Sequence, residues 1–262
     1  MSTQSKPTKR ELRDQRRAER VEAERADAAR ATRRRRSFTL LGALGVAAVL
    51  VVVAIALSSS GGTADPPAPA AATNRATSLF AGIPERDGVL GKRTAPLTVT
   101  EFVDLQCPIC AETSKTTLPA LIQKYVRTGK VKLDARTLHF IGPDSSTAAR
   151  MAAGAQQQGK LWPFLEAFYA RQGQENSGYV TDAFLRQVAQ ASGVDAGKAL
   201  AYAKTPAAQE ALNQADRDAE TLGVNATPTF GIARGDGRAK ILAGGNHDSA
   251  SLSAALDAEA KS

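Results

Sequence analysis

Leu97 to Cys110 reads LTVTEFVDLQCPIC, and the fold turns on how that stretch is divided. Its first half is short, apolar and rich in Val, Thr and Phe, which predicts a buried central strand. Its second half predicts the start of a helix. Pro108 suits a first helical position, where its missing N–H is no loss and its φ is already helical. Cys107 therefore falls at a helix N-terminus, where backbone N–H groups and the positive dipole end favour a thiolate. Cys110 lies one turn further in, close enough for the two to form a disulfide. They are the only cysteines among 262 residues.

A Cys-Pro-Ile-Cys sequence has three readings. A zinc site needs four ligands, and His139 and His247, the only histidines, stand at separations that fit no finger or ribbon. A purely structural disulfide closing so short a loop would constrain the unfolded chain little. A redox-active dithiol is the remaining reading.

With 43% hydrophobic and 23% charged residues the chain can build a core. Its net charge of +8 would suggest nucleic acid if it were spread over a folded surface. Residues 1–36, however, hold 13 Lys/Arg against 6 Asp/Glu, which leaves 21 against 20 for everything after them. The basic character belongs to a tail, and no nucleic-acid partner is expected. That tail has no apolar face and is expected to be disordered or a lone solvated helix. It ends in four arginines, Arg33 to Arg36.

Residues 37–57 are uncharged and dominated by Val, Leu and Ala. The twenty from Phe38 to Leu57 make roughly 30 Å of helix, enough for one crossing of a bilayer. The arginines precede this span and no Lys/Arg recurs before Arg75, so the N-terminus is expected in the cytoplasm and the rest outside. A cleaved signal is the alternative. Arg35-Arg36-Ser37-Phe38 resembles a twin-arginine signal and Ala54-Ile55-Ala56 a cleavage site. The apolar run is longer than such a signal needs, which favours a retained anchor. Residues 58–79, Ser/Gly-rich and then Pro/Ala-rich, read as a flexible tether.

A folded domain is expected over 80–262. After the strand, a helix kinked at Pro119 should run to about Arg127, followed by a strand over 131–141. A helical block about 143–223 comes next. Ser145 or Ser146 is expected to cap its first helix, aromatic residues to line the second, and Thr181, Asp195 and Thr205 to cap the remaining three, with stops at Gly193 and Gly223. Strands near 227–232 and 240–243 and a last helix capped at Asp248 or Ser249 complete an α/β order with a helical insertion.

That order, with a CxxC at the first strand–helix junction and Thr-Pro before a late strand, resembles the thioredoxin-like fold. The inserted helices make it similar to the DsbA family, and more narrowly to its membrane-anchored Gram-positive and actinobacterial members. The resemblance is carried by Gly82-Ile83-Pro84, Leu90-Gly91, Ala95-Pro96, Glu101 through Cys110, Gly142-Pro143-Asp144-Ser145, Gln172 through Gly178 and Ala226 through Phe230. It implies that Cys107 is an exposed nucleophilic thiol and Cys110 the buried resolving thiol. It further implies a cis Pro228 beside the disulfide and a Thr227 whose backbone binds an extended substrate, with Pro108 and Ile109 bordering that surface. Glu101 matches the family's buried acid, which relays protons to the resolving thiol; a solvent-facing strand residue is the plainer reading. Ile109 departs from the strongly oxidising members, which carry His between the cysteines.

The expected function is an extracytoplasmic thiol–disulfide oxidoreductase, an oxidase introducing disulfides into exported unfolded or reduced proteins. It would need no cofactor beyond the redox-active disulfide Cys107–Cys110 and no metal, and would be re-oxidised by a quinone-linked membrane enzyme. The alternatives are a reductase or isomerase of the same compartment and a non-catalytic binding module.

Overall fold

The structure, a computed structural model, describes residues 77–242 and 248–261. Among these residues six strands form one sheet in the order β1-β2-β4-β3-β5-β6. They are β1 Glu85–Arg86, β2 Val89–Leu90, β3 Leu97–Asp104, β4 Val131–Leu138, β5 Thr229–Arg234 and β6 Lys240–Ile241. The predicted strand β3 is central. It runs parallel to β4 from Leu97↔Val131 to Asp104↔Leu138, and antiparallel to β5 from Leu97↔Arg234 to Phe102↔Thr229. From Glu101 onward every residue of β3 is buried, as expected of a strand covered on both faces.

The β3–β4 crossover was expected to be one kinked helix and is instead three pieces. These are α1 (Pro108–Thr116), α2 (Leu118–Leu121) and a π-helical turn over Ile122–Val126. Pro119 cannot donate the bond that would join α2 to α1, so the helix restarts at Thr117. The displaced turn is anchored by Tyr125, whose hydroxyl donates to Asp257 Oδ1 at 2.8 Å on α8 (Ser249–Lys261).

Five helices separate β4 from β5: α3 (Pro143–Gln156), α4 (Leu161–Tyr169), α5 (Asp182–Ser192), α6 (Ala196–Ala203) and α7 (Pro206–Leu222). Thr181, Asp195 and Thr205 cap α5, α6 and α7 through the N–H groups of Phe184, Lys198 and Ala208. Gly193 and Gly223 close α5 and α7 in the left-handed conformation. Asp248 caps α8, accepting from Ser251 N at 2.8 Å. Two further expectations fail. The strand β4 stops at Leu138, and α3 begins behind Gly142 with Pro143 in its first turn, so neither Ser145 nor Ser146 is its cap. Both places border the site described below.

The helix α4 is buried nearly all round, including Trp162, Phe164, Phe168 and Tyr169. No local side chain caps it; the Glu85 carboxylate on β1 accepts from the N–H groups of Leu161 and Trp162 instead. On the other face of the sheet α7 covers Phe102 and Leu138 through Ala215, Ala219 and Leu222. Residues 77–80 already form a helical turn, and the Arg127 guanidinium holds the carbonyls of Leu79 and Ala81. Among the described residues no helix is long and apolar enough to cross a membrane. The expected span at 37–57, the tail before it and the tether up to residue 76 lie outside the described residues.

Candidate active site

At the C-terminal end of β3 the chain turns through Leu105 and Gln106 into α1. The turn is closed by Cys107 N–H donating to the Asp104 carbonyl at 3.0 Å. Cys107 is the N-cap of α1, with extended backbone (φ −69°, ψ 119°), and Pro108 begins the helix. The cap geometry aims the Cys107 sulfur at the open end of the helix, where it accepts from Cys110 N–H at 3.4 Å. Both cysteines are free thiols.

The two thiols are electrostatically opposite. The Cys107 thiol is lowered to about 6, first by a hydrogen bond from the Cys110 thiol and then by the Thr227 hydroxyl and the N–H groups of Cys110 and Ile109, against an opposing effect of burial. Cys110 is pushed well above the ordinary thiol range. Burial is the main cause, followed by its hydrogen bond to Cys107 and the repulsion of the Cys107 charge. Cys107 is more covered than the resemblance implies, 6% exposed against 1% for Cys110. Part of that cover is Thr227, whose carbonyl accepts from the Cys107 thiol at 3.3 Å. The Thr227–Pro228 bond is cis, and Pro228 is buried. Pro108 and Ile109 are exposed beside the sulfur, Ile109 at 53%.

Glu101 does not face solvent. It is 6% exposed, paired across the sheet with Ala135 and Phe230, and burial alone raises its carboxyl to about 8. Its charge, when present, acts on Cys110. The structure thus gathers Glu101, Cys107, Cys110, Thr227, Pro228, Pro108 and Ile109 at one end of the sheet. His139 is elsewhere engaged, with Asp216 at 3.1 Å and Ser146 at 3.2 Å, while His247 lies outside the described residues.

Sequence reasoning gave no role to the residues that hold this turn in place. The Asp104 carboxylate is fully buried and accepts three bonds: from Gln106 N–H at 2.9 Å, the Ser145 hydroxyl at 2.6 Å and Ile141 N–H at 3.2 Å. Ile141 N–H is thereby bound outside the sheet, and Ser145 sits inside α3 with its hydroxyl turned to this carboxylate. Gln106 is pinned by Asn176 N–H to its Oε1 at 2.6 Å, and its amide donates to the Ser145 hydroxyl at 3.0 Å. Gly142 leaves room for Asn176, whose side chain would meet any Cβ there. The signal available was the polar run Gln172 to Gly178 behind the aromatic helix, which carried resemblance but no chemistry. Phe140 was also missed. It is 57% exposed, next in sequence to Ile141, whose N–H the Asp104 carboxylate binds.

The thioredoxin family profile matches residues 85–258. The probable disulfide bond formation protein D of Bacillus anthracis is 37% identical over 101 residues, which is 38% of this chain and 46% of that protein. The chain thus spans about half the length of the curated relatives it matches. Oxidised BdbD from Bacillus subtilis superimposes with a TM-score of 0.60 at 23% identity, covering 69% of this chain and 97% of that one. A thioredoxin-like oxidoreductase from Silicibacter pomeroyi gives 0.53 at 27% identity, over 70% and 96%. With this profile match, its strand order and its CxxC at the β3–α1 junction, the chain belongs to the thioredoxin family, and its helical insertion is similar to that of DsbA-like proteins.

Proposed function

We propose that this chain is an extracytoplasmic thiol–disulfide oxidoreductase, an oxidase that passes the Cys107–Cys110 disulfide to exported proteins. The observation that carries the reading is the opposed pair of thiols, Cys107 lowered to about 6 and Cys110 raised well above its ordinary value. A substrate thiolate attacks the Cys107 sulfur, and the Cys107–Cys110 bond breaks with the electron pair on Cys110. That sulfur is a poor anion where it lies, so it needs a proton, and Glu101, protonated at neutral pH, supplies it. A second substrate thiolate then attacks its own sulfur in the mixed disulfide, and Cys107 leaves as a stable thiolate. The substrate has lost two electrons, and the enzyme dithiol has gained them.

Thr227, Pro228, Pro108 and Ile109 form the surface where an extended client strand lies across the sulfur. Unfolded or reduced clients fit such a surface because they still expose apolar side chains. The disulfide is the only redox group this chemistry calls for, so neither a metal nor an organic cofactor enters it. Residues 1–36 form the cytoplasmic tail, 37–57 a single membrane anchor and 58–76 the tether of the domain, which begins with the helical turn at 77–80 rather than at residue 80. The charge step at Arg36 supports that orientation, and similarity to disulfide bond formation protein D supports the compartment. Return to the disulfide form falls to a quinone-linked membrane enzyme.

The test is transfer itself. The oxidised protein, mixed with a reduced unfolded protein under anaerobic conditions, should lose one disulfide for each disulfide the client gains. Client thiols that persist at their starting level would refute the oxidase reading.

A further inference from the structure

In the strand-to-helix turn that carries Cys107, two carbonyls, those of Leu105 and Cys107, accept from one side chain of the insertion. Gln172, three residues beyond the end of α4, donates its amide to the Leu105 carbonyl at 2.8 Å and to the Cys107 carbonyl at 3.1 Å. The Cys107 carbonyl is also the acceptor of the first backbone bond of α1, from Ala111 N–H at 3.2 Å. One peptide oxygen therefore joins the insertion to the first turn of the helix whose N–H groups face the Cys107 sulfur. Gln172 is not free to drift. Gly173 packs against the Tyr179 ring so closely that a Cβ would lie 2.8 Å from its Cγ, and four residues on Asn176 grips Gln106.

We propose that Gln172 is a positioning residue for the nucleophile: by holding the Leu105 and Cys107 carbonyls it sets the angle of the first turn of α1, and so the N–H groups that meet the Cys107 sulfur. This rests on the reading of Cys107 as the nucleophilic thiol. It goes further in making the helical insertion part of the redox chemistry rather than a cover over it. A bond that merely stabilised the fold would act equally on dithiol and disulfide forms. A bond that orients donors toward a thiolate acts on the dithiol form alone, because only that form carries the charge.

The full-length protein with Gln172→Ala is compared with wild type in three readouts: thiolate absorbance against pH, the equilibrium constant with glutathione, and thermal midpoints of both redox forms. Expected are a Cys107 transition displaced upward and a glutathione equilibrium moved about two- to tenfold toward the disulfide, the range of one net hydrogen bond. The reduced form should lose more thermal stability than the oxidised form. Thr181→Ala, which removes a remote cap, should lower both midpoints equally and leave the equilibrium in place. Equal losses in both forms of Gln172→Ala with an unchanged glutathione constant would overturn the proposal. Should Gln172→Ala not fold, Gln172→Met, which keeps the length, adds no charge and removes the donor, is read the same way. A wild type that shows no low-pH thiolate and no glutathione exchange refutes the oxidoreductase reading and this inference together. A wild type that exchanges while the variants match it refutes this inference alone.

Discussion

Replacing Glu101 with Gln should make the protein more stable and a poorer catalyst. The carboxyl lies between Ala135 and Phe230 on the neighbouring strands, and burial raises its pKa from 4.5 to about 8. At pH 7 the unfolded chain ionises this group and the folded chain does not. A gap of two and a half units between pH 7 and the unfolded value corresponds to about 3 kcal/mol against folding. The sign follows from the raised folded value. The native state holds the proton more tightly, so the favourable balance is complete below pH 4.5 and is lost progressively as pH rises toward 8. Gln is neutral at every pH and has nearly the same shape. Glu101→Gln should therefore match wild type near pH 4 and exceed it by about 3 kcal/mol at pH 7. Urea unfolding of the reduced protein from pH 4 to 8 measures the difference. The variant should also resolve mixed disulfides more slowly, with a flatter pH dependence, since Cys110 loses its proton donor. Equal stability at pH 7 together with wild-type turnover from pH 5 to 8 would show that Glu101 is ionised in the fold and relays nothing.

The other expectations concern the dithiol and the core. Cys110→Ser should accumulate mixed disulfides with exported proteins, released by reductant and visible on non-reducing gels, whereas Cys107→Ser should accumulate none. Ile109→His should lower the Cys107 pKa below about 6 and make the protein more oxidising, because it adds a donor and partial charge beside the sulfur; thiolate absorbance and glutathione equilibration read the two effects. Phe164→Ala, at a fully buried ring whose centroid lies 6.2 Å from that of Phe168, should cost about 3–5 kcal/mol by urea unfolding.

What was legible in the sequence was local. The β-branched run into Cys107-Pro108 names a strand and a helix start because both signals lie within fourteen residues. Thr181, Asp195 and Thr205 each announce a cap whose partner is three residues away. Gly193 and Gly223 announce stops in the same way. Ser145 looked like a cap by the same rule and is not: the helix already starts at Pro143, and the Ser145 hydroxyl serves the Asp104 carboxylate, 41 positions away. The end of β4 was misplaced for a related reason, since Ile141 N–H leaves the sheet for that carboxylate. On β3, alternation cannot say whether Glu101 faces water when both faces of the strand are covered. The holders of the active turn, Gln172 and Asn176, act across 65 to 70 positions. No period or spacing encodes such a contact.

The reduction potential of the Cys107–Cys110 pair tests the central claim most directly. Stabilising the dithiol form raises the potential by about 30 mV for each 1.4 kcal/mol, and the Cys107 thiol at about 6 is such a stabilisation. Ile109 forgoes the further gain that a His would bring. Equilibration against a graded glutathione series, with the disulfide counted by thiol trapping, should place the pair above thioredoxin at about −270 mV and below DsbA at about −120 mV. A potential at or below that of thioredoxin, or a pair that never forms its disulfide in the series, would contradict an oxidase built on a stabilised Cys107 thiolate.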